Sequence, residues 1–297
     1  MDSPARISIV IPCYNSGETL PQTLESVRAQ TLPPMEVVVV DDGSTDPATI
    51  ALLDGLRDIT LVRKPNGGLP SARNAGFAAA HGDYILPLDS DDWLEPEFLE
   101  KVSAALFGQQ EASFAFALAR LEGEASGILW KNYNFFEQLF FNQLPYCLLL
   151  PKRLWEEVGG YDESMRKGYE DWDFNIRLGA RGYFGIVVRE PLFHYRVRST
   201  GMLQATSSRL HGRLWAEIQA RNPQLYSLGS LLKTWRQWRH CPSSYPLLPY
   251  FGWLLLHRML PHAAFQGCFR WLLRRSQSRR ETARSTAGGG TRTPGTP

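Results

Sequence analysis

Cysteine is scarce and scattered in this sequence. Its four cysteines, Cys13, Cys147, Cys241 and Cys268, form no CxxC pair. Closely spaced pairs are the usual sign of a zinc knuckle, and a short chain rich in cysteine is typical of a disulfide scaffold. The sequence indicates neither, and its cysteine usage is compatible with a reducing compartment.

Signals for export and for membrane spanning are also missing. A spanning helix needs about 20 mainly apolar residues, and no such run occurs. The N-terminal residues 1–6 lack the charged-then-apolar pattern of a signal peptide. We therefore expect a cytoplasmic protein, either free or peripheral at the inner face of the membrane.

Two common nucleotide-binding motifs are absent. A dinucleotide-binding fold would carry G-x-G-x-x-G after the first strand, where this sequence has Tyr14-Asn15-Ser16-Gly17, and no GxxxxGK[ST] occurs. These absences argue against NAD or FAD binding and against a P-loop NTPase. The 32 basic and 30 acidic residues nearly balance, so we expect no nucleic-acid partner.

Apolar runs and helical periodicity alternate in the first third of the chain. Strands are predicted at 7–11, 35–40, 59–62 and 84–88, and helices at 17–30, 46–57, 70–80 and 94–106. This order favours a parallel sheet with helices on both faces. We predict an α/β fold, a Rossmann-like three-layer α/β/α sandwich with a mainly parallel central sheet and a mainly helical C-terminal appendage.

The later sequence leaves more alternatives open. The aromatic-rich stretch 129–144 either packs against the sheet or forms an acceptor-binding wall. Residues 246–275 mix aromatic residues, leucine and arginine, which suits either an interfacial helix on anionic lipid or an appendage packed on the sheet domain. We predict a nucleotide-binding domain at 1–200, a helical and membrane-associating region at 201–275, and a disordered low-complexity tail at 276–297.

Polar residues follow three of the predicted strands, at the edge where open α/β sheets bind ligands. Pro12-Cys13-Tyr14-Asn15 follows the first strand, Asp41-Asp42-Gly43-Ser44 the second and Asp89-Ser90-Asp91-Asp92 the fourth. Three neighbouring acids repel one another unless a cation shares them, and Mg²⁺ typically needs only one or two carboxylates plus substrate phosphates. The alternative is an acidic turn in which Asp92 caps a helix that begins near Leu94.

The order of five motifs resembles that of the family 2 glycosyltransferases of GT-A fold. The motifs are Val10-Ile11-Pro12-x-Tyr14-Asn15, Val39-Val40-Asp41-Asp42-Gly43-Ser44-Thr45-Asp46, Ala72-Arg73-Asn74-x-Gly76, Leu88-Asp89-x-Asp91-Asp92 and Glu170-Asp171. Each motif is weak alone, but all five in this order and spacing are specific. The resemblance covers residues 6 to about 198 and leaves out the C-terminal third.

The resemblance implies a nucleotide-sugar lying across the carboxyl edge of the sheet. It implies that the nucleotide-sugar contacts Pro12, Tyr14, Asn15, Asp41, Asp42, Arg73 and Asp89. Asp91 and Asp89 of the DxD motif would ligate Mn²⁺ or Mg²⁺, with His194 as a further ligand. Asp171, or Glu170, would be the catalytic base.

Residue chemistry leaves alternatives to these roles. Arg73 either pairs with the acidic edge, reaches the diphosphate or is a solvated helical arginine. His194 is either a ligand or a structural residue of a strand, and Arg196 and Arg198 would instead close over the diphosphate. Glu170 and Asp171 also suit the N-terminus of a helix.

The predicted function is metal-dependent, inverting transfer of a sugar from a nucleotide-diphosphate sugar, by default a UDP-sugar, to a glycan or lipid-linked acceptor. Processive synthases of the family carry Q-x-x-R-W, but Gln266 to Trp271 holds one residue too many, so we expect transfer of single sugars. A catalytically degenerate scaffold of the same fold is the first alternative. The second is a sugar nucleotidyltransferase, which would carry a Gly-rich loop with Arg and Lys after the first strand.

Overall fold

The computed structural model describes residues 6–109, 112–199, 201, 206–269 and 271. The strands are β1 Ile7–Cys13, β2 Glu36–Asp41, β3 Thr60–Arg63, β4 Tyr84–Pro87, β5 Trp93–Leu94, β6 Phe114–Gly123, β7 Gly127–Leu129, β8 Leu150–Pro151 and β9 Gly185–Val197. The helices are α1 Leu20–Arg28, α2 Pro47–Gly55, α3 Leu69–Ala79, α4 Phe98–Gly108, α5 Phe135–Gln138, α6 Lys152–Glu157, α7 Glu170–Ala180, α8 His211–Arg221, α9 Leu228–Trp238 and α10 Leu247–Met259.

The central sheet has the strand order β3-β2-β1-β4-β8. Its first four strands are parallel, and β8 runs antiparallel to β4. A second sheet has the order β5-β9-β6-β7, in which β6 and β9 are parallel. The mainly parallel central sheet confirms the predicted fold class, and helices α8 to α10 confirm the helical C-terminal part.

The uninterrupted apolar runs of β1 and β2 are buried on both faces of the central sheet. One face packs against α3 and is built from Val10, Val38 and Val40. The other face packs against α1 and α4 and is built from Ile9, Ile11 and Val39. Burial of each such side chain contributes about 1.5–3 kcal/mol, so helices on both faces stabilise the sheet.

Strand β1 runs past its predicted end and includes Pro12. The Val10 carbonyl accepts a hydrogen bond from the Leu88 N–H at 2.9 Å, so residue 12 also directs its main-chain groups toward the β4 side. Because β4 ends at Pro87, no strand there requires the N–H that proline lacks. The strand therefore tolerates a proline near its carboxyl end.

The helix predicted from Leu94 begins only at Phe98. Strand β5 comes first, and it pairs Trp93 with His194 and Leu94 with Phe193 of β9. This long-range pairing overrides the local preference for helix, and it ties the end of β4 to β9.

The helices after residue 206 pack on the sheet domain. Trp215 of α8 is fully buried, and its indole N–H donates to the Leu139 carbonyl at 3.0 Å. The Tyr226 hydroxyl donates to the same carbonyl at 2.9 Å. The domain boundary at residue 200 stays a prediction, and the predicted tail at 276–297 lies outside the described residues. In the described part of the chain, no helix combines the length and apolar character needed to cross a membrane.

Candidate active site

Helix α3 lies close to the central sheet because Gly76 faces it. A Cβ atom on Gly76 would lie 2.2 Å from Cγ1 of Val10 and 2.9 Å from Cγ2 of Val40. The missing side chain lets the helix approach, and Arg73 on the preceding turn thereby reaches the acidic end of β4. This packing gives a physical reason for the glycine of the Ala72-Arg73-Asn74-x-Gly76 motif.

Arg73 joins two of the predicted site acids. Its guanidinium donates to Asp89 at 2.7 and 3.0 Å and to Glu170 at 2.7 Å, and its side chain is 1% exposed. Burial alone would lower the pKa of Arg73, but the charges of Asp89 and Glu170 raise it well above the ordinary value. Of the alternatives for Arg73, pairing with the acidic edge is the one observed.

These residues line a cleft of about 490 Å³ that opens beside the end of β4. Its acidic lining comes from Asp89, Asp91, Glu170 and Asp171. Its basic lining comes from Arg73, Lys131, Arg196 and Arg198. Residues far apart in the chain thus meet in one cavity, and the DxD and Glu170-Asp171 motifs face the same space.

The Asp91 carboxylate is held at an energetic cost. Burial and the neighbouring charge of Asp89 raise its pKa to about 6, although Arg198 and Arg196 act in the opposite direction. Arg196 also donates to the main-chain carbonyl of Asp91 at 2.8 Å, and its guanidinium lies 4.9 Å from the Trp93 ring centroid. A cation in the cleft would stabilise the ionised form of Asp91.

The prediction that Asp92 caps a helix is wrong, because the next helix begins at Phe98 and its N-cap residue is Glu97. Asp92 is 1% exposed and accepts hydrogen bonds from the Tyr146 hydroxyl at 2.6 Å and the Arg196 N–H at 2.7 Å. Tyr146 also accepts a bond from the Asp89 N–H at 2.9 Å. Asp92 therefore ties the DxD loop to β9, and the helix start lies several residues away at Phe98.

Glu170 and Asp171 open helix α7 but have different partners. Glu170 pairs with Arg73, whereas Asp171 accepts from the Asn142 side-chain amide at 2.8 Å and from the Trp172 N–H at 2.8 Å. Burial raises the pKa of both acids, and Arg73 opposes the increase. Since the guanidinium occupies Glu170, Asp171 is the better placed of the two to accept a proton.

The acids after β2 hold loops together. Asp42 accepts from the N–H groups of Gly67 at 2.9 Å and Gly68 at 2.8 Å and pairs with Lys64 at 2.7 Å. Asp41 accepts from the Ser44 N–H at 2.8 Å. These contacts correspond to a turn-forming role, which coexists with the nucleotide contacts predicted for both residues.

The residues after β1 are placed differently from one another. Asn15, with a positive φ of 52°, accepts through its side chain from the N–H groups of Thr45 and Asp46 at 2.8 and 2.9 Å. Tyr14 is 48% exposed, and Pro12 is buried in β1. The lining of the cleft does not include these three residues or the two acids after β2. All five lie at the ends of the neighbouring strands β1 and β2. Their contacts with a nucleotide stay predictions.

His194 does not join the predicted metal ligands. Its Nδ1 lies 3.0 Å from Glu122 and its Nε2 lies 2.8 Å from Glu95, so both ring nitrogens have carboxylate partners. The ring stacks on Trp93 at 4.8 Å. Its neighbours Phe193 and Tyr195 in β9 line the cleft, whereas His194 is not part of the lining. The structural alternative for His194 fits these contacts.

Several cleft residues carried no clear signal in the sequence. Lys131, Asn142, Tyr146 and Tyr169 all line it. Most of the aromatic stretch at 129–144 packs in the core, namely Tyr133, Phe135, Phe136 and Phe140. Phe141 lines the cleft, and contact of this stretch with an acceptor stays a prediction. Trp172, the neighbour of Asp171, also belongs to the lining; it is 1% exposed, and its indole N–H donates to the Gln138 carbonyl at 2.6 Å.

The acidic end of β4 fits a divalent cation that shares its coordination with substrate phosphates. Within the described ranges, no group of three or more His, Cys, Asp or Glu side chains is arranged to hold a metal ion by itself. Two carboxylates are present, Asp91 and Asp89, and Mg²⁺ often takes only one or two from the protein. Burial and the charge of Asp89 raise the pKa of Asp91, so a bound cation would favour its ionised form.

The parallel sheet, the flanking helices and the acidic cleft at the strand ends define an α/β protein with a candidate ligand site at the carboxyl edge of its central sheet. The model of the family described as "Glycosyl transferase family 2" matches residues 8–168. This match spans more than half of the chain, and the protein belongs to that family.

Curated relatives and solved structures are similar over most of the sheet domain. Chondroitin synthase of Pasteurella multocida is 29% identical over 187 residues, which are 60% of this chain and 19% of that protein. The putative glycosyltransferase EpsH of Bacillus subtilis is 25% identical, over 71% of this chain and 66% of that protein. The chain therefore spans about a fifth of the first relative's length.

Among solved structures, S. aureus TarS 1-349 in complex with UDP-GlcNAc is similar at 22% identity and a TM-score of 0.55. The alignment covers 72% of this chain and 66% of that one. At this identity the similarity shows the fold.

Proposed function

We propose that the protein is a glycosyltransferase that moves a sugar from a nucleotide-diphosphate sugar to an acceptor hydroxyl. The observation that carries the proposal is one cleft in which Arg73 joins Asp89 to Glu170 and whose lining also includes Asp91 and Asp171. Family membership supports the same reaction. Chondroitin synthase and hyaluronan synthase among the relatives favour a role in polysaccharide biosynthesis.

In the proposed reaction the acceptor oxygen attacks the anomeric carbon as the bond from that carbon to the diphosphate oxygen breaks. The leaving nucleotide diphosphate takes the bonding electron pair. Asp171 accepts the proton of the acceptor hydroxyl. A single displacement of this kind inverts the configuration at the anomeric carbon.

The environment of Asp171 suits a general base. Burial raises the pKa of Asp171 and makes the carboxylate more basic than a solvated aspartate, while Arg73, Asn142 and the Trp172 N–H keep the ionised form accessible. Glu170 is the less favoured base because its carboxylate is bound to Arg73 at 2.7 Å. Arg73 in turn fixes Asp89 at the donor side of the cleft.

A divalent cation, Mn²⁺ or Mg²⁺, would be held by Asp91 and Asp89 and would neutralise charge on the departing diphosphate. Arg196 and Arg198 line the same side of the cleft and add positive charge near the diphosphate. His194 is left out of this ligand set because Glu95 and Glu122 occupy its ring nitrogens.

The finer identity of the partners belongs to the same proposal. TarS binds UDP and UDP-GlcNAc in its solved structures, which supports a UDP-sugar as donor. The acceptor would be a glycan or a lipid-linked sugar. Exposed apolar residues of α10, among them Leu248, Leu255 and Met259, would allow peripheral contact with an anionic membrane, which co-sedimentation with phosphatidylglycerol vesicles tests.

Nucleotide binding and turnover test the proposal together. We expect UDP with Mn²⁺ to raise the melting temperature more than GDP or dTDP does, and we expect at least one UDP-sugar in a panel to release UDP. Asp171→Asn should retain the melting shift and lose about 100-fold or more in UDP release, because it keeps the shape of the base and removes its proton acceptor.

The control is Asp162→Asn, which alters a partly exposed acid outside the cleft and should leave UDP release unchanged. Full turnover in Asp171→Asn combined with Glu170→Gln would exclude the proposed base. No melting shift with any of the three nucleotides would favour a degenerate scaffold instead.

A further inference from the structure

Asn142 holds the Asp171 carboxylate in one orientation. Its Nδ2 donates to Oδ2 of Asp171 at 2.8 Å, and the Trp172 N–H donates to Oδ1 at 2.8 Å. A carboxylate oxygen has room for a second hydrogen bond, so both oxygens retain acceptor capacity. The two contacts therefore fix the rotamer of Asp171 and still allow it to receive a proton.

Asn142 is itself held from two sides. The Gln138 side-chain amide donates to its Oδ1 at 3.0 Å, and Gln138 is fully buried. The Lys131 ammonium donates to its main-chain carbonyl at 2.8 Å. The Gln138 bond settles which end of the Asn142 amide faces Asp171, because Oδ1 already has a donor and Nδ2 is left to donate.

Lys131 brings positive charge to this part of the cleft without binding Asp171 directly. Its ammonium bonds to the main-chain carbonyl of Asn142 at 2.8 Å, and burial lowers its pKa to about 8. The nearby charge of Asp171 acts in the opposite direction on Lys131. The ammonium thus stabilises the ionised base through space and leaves the lone pairs of the carboxylate free.

We propose that Asn142, anchored by Lys131 and Gln138, is a positioning residue that orients Asp171 for proton transfer. The inference rests on the proposed function, in which Asp171 is the base. It gives a role to Asn142, which lies within the family match but in none of the five motifs that carry the resemblance.

The pH dependence of turnover separates positioning from a merely structural role. Activity should rise with pH as Asp171 ionises, and loss of a hydrogen bond to its charged form should move this acid limb to higher pH. Other titratable or charged groups also act on Asp171 or respond to it: Arg73, Asp89, Lys131, Tyr161, Tyr169, Glu170 and Tyr195. They are unchanged in the variants below, so a shifted limb reports on Asn142.

The experiment measures UDP release across pH with the UDP-sugar that the wild-type protein hydrolyses fastest, with water as acceptor. Asn142→Ala should lower kcat about 10- to 100-fold, a part of the full contribution of a general base, and should move the acid limb up by about one pH unit. Asn142→Asp, of nearly the same shape, should move the limb further, because a second carboxylate would face Asp171.

Asn222→Ala is the matched control. Asn222 is a buried asparagine whose Nδ2 donates to Oδ1 of Asp173 at 3.3 Å, on the same helix as Asp171 but outside the cleft. This variant loses the same kind of bond, so we expect lower stability with an unshifted limb. The melting shift with UDP and Mn²⁺ should persist in all three variants and verifies that each one is folded.

Each result decides the matter. If the acid limb of the pH profile is unshifted in both Asn142 variants, the inference is overturned, whether or not kcat falls. The proposed function still stands in that case, provided that the wild-type protein turns over. A wild-type protein that releases no UDP from any donor overturns the proposed function and the inference with it. A shift in Asn222→Ala equal to that in Asn142→Ala would also exclude a specific role for Asn142.

Discussion

At the scale of single residues, the cleft brings together buried carboxylates whose ionised forms reduce the stability of the folded protein. Asp91 is the clearest case, since burial and Asp89 raise its pKa from 3.8 to about 6. A carboxylate with a raised pKa contributes stability only where it is protonated. Its contribution is complete below pH 3.8 and is lost as the pH rises through 6. At neutral pH the apo protein therefore carries an unfavourable buried charge at this position.

We expect Asp91→Asn to stabilise the protein at pH 7 in the presence of a chelator. The gain should be about 2 kcal/mol, less than the full pKa shift implies, because Asp91 is partly exposed. The difference from wild type should vanish below about pH 4, where both side chains are neutral. Urea denaturation at the two pH values measures it.

Asp46→Ala supplies a control of opposite sign. Asp46 caps α2 by accepting from the Thr49 N–H at 2.8 Å, and the Thr49 side-chain and main-chain hydrogen bonds lower its pKa. Asp46→Ala should destabilise the protein at pH 7. The difference from wild type should shrink in acid, because a carboxylate with a lowered pKa loses its stabilising contribution when it is protonated. An Asp91→Asn protein that is less stable than wild type at pH 7 would contradict this interpretation of Asp91.

UDP release should be lost in Asp91→Asn even though the variant folds more stably.

At the scale of elements, the sequence predicted what depends on local pattern and nearby neighbours. The four parallel strands and the helices between them follow from apolar runs and periodicity. Strand β5 was missed because it exists only through its pairing with β9, about a hundred residues further along. The same holds for the site. The motifs predict its acids, but the bond from Asn142 to Asp171 depends on the fold of the irregular segment between α5 and β8, which no local pattern predicts.

Helix α3 provides the prediction at this scale. Gly76→Ala would place a methyl group 2.2 Å from Val10, so α3 must move away from the sheet or Val10 must shift. We expect a loss of about 1–3 kcal/mol in the free energy of unfolding, as for other overpacked cores. UDP release should also fall, because a displaced α3 carries Arg73 away from Asp89 and Glu170.

Gly55→Ala is the control for this helix-packing effect. Gly55 ends α2, and a Cβ atom there meets nothing within 4 Å. The same substitution should be neutral or stabilising by up to about 1 kcal/mol, with unchanged UDP release. Equal stability of the Gly76 and Gly55 variants would show that the close approach of α3 is unimportant.

At the scale of the whole molecule, the C-terminal helices share one hydrophobic core with the sheet domain. Residues of α8 to α10, including Trp215, Leu231 and Tyr250, belong to the same buried cluster as Phe136 and Phe140. Trp172, beside the proposed base, is in that cluster too. The helices therefore pack against residues of the cleft wall, and His211 of α8 lines the cleft itself, although the family match ends at residue 168.

This shared core predicts that the described part of the chain unfolds as one unit. Tryptophan fluorescence and the loss of UDP binding should report the same urea midpoint. Trp215→Ala should lower the free energy of unfolding by about 3–5 kcal/mol and shift both signals together, because the buried indole fills the space between α8 and the sheet domain. Trp130→Ala, at a side chain that is 69% exposed, should change stability by no more than about 0.5 kcal/mol. Two separate midpoints, with UDP binding preserved after the helices melt, would show instead that the C-terminal region is an independent domain.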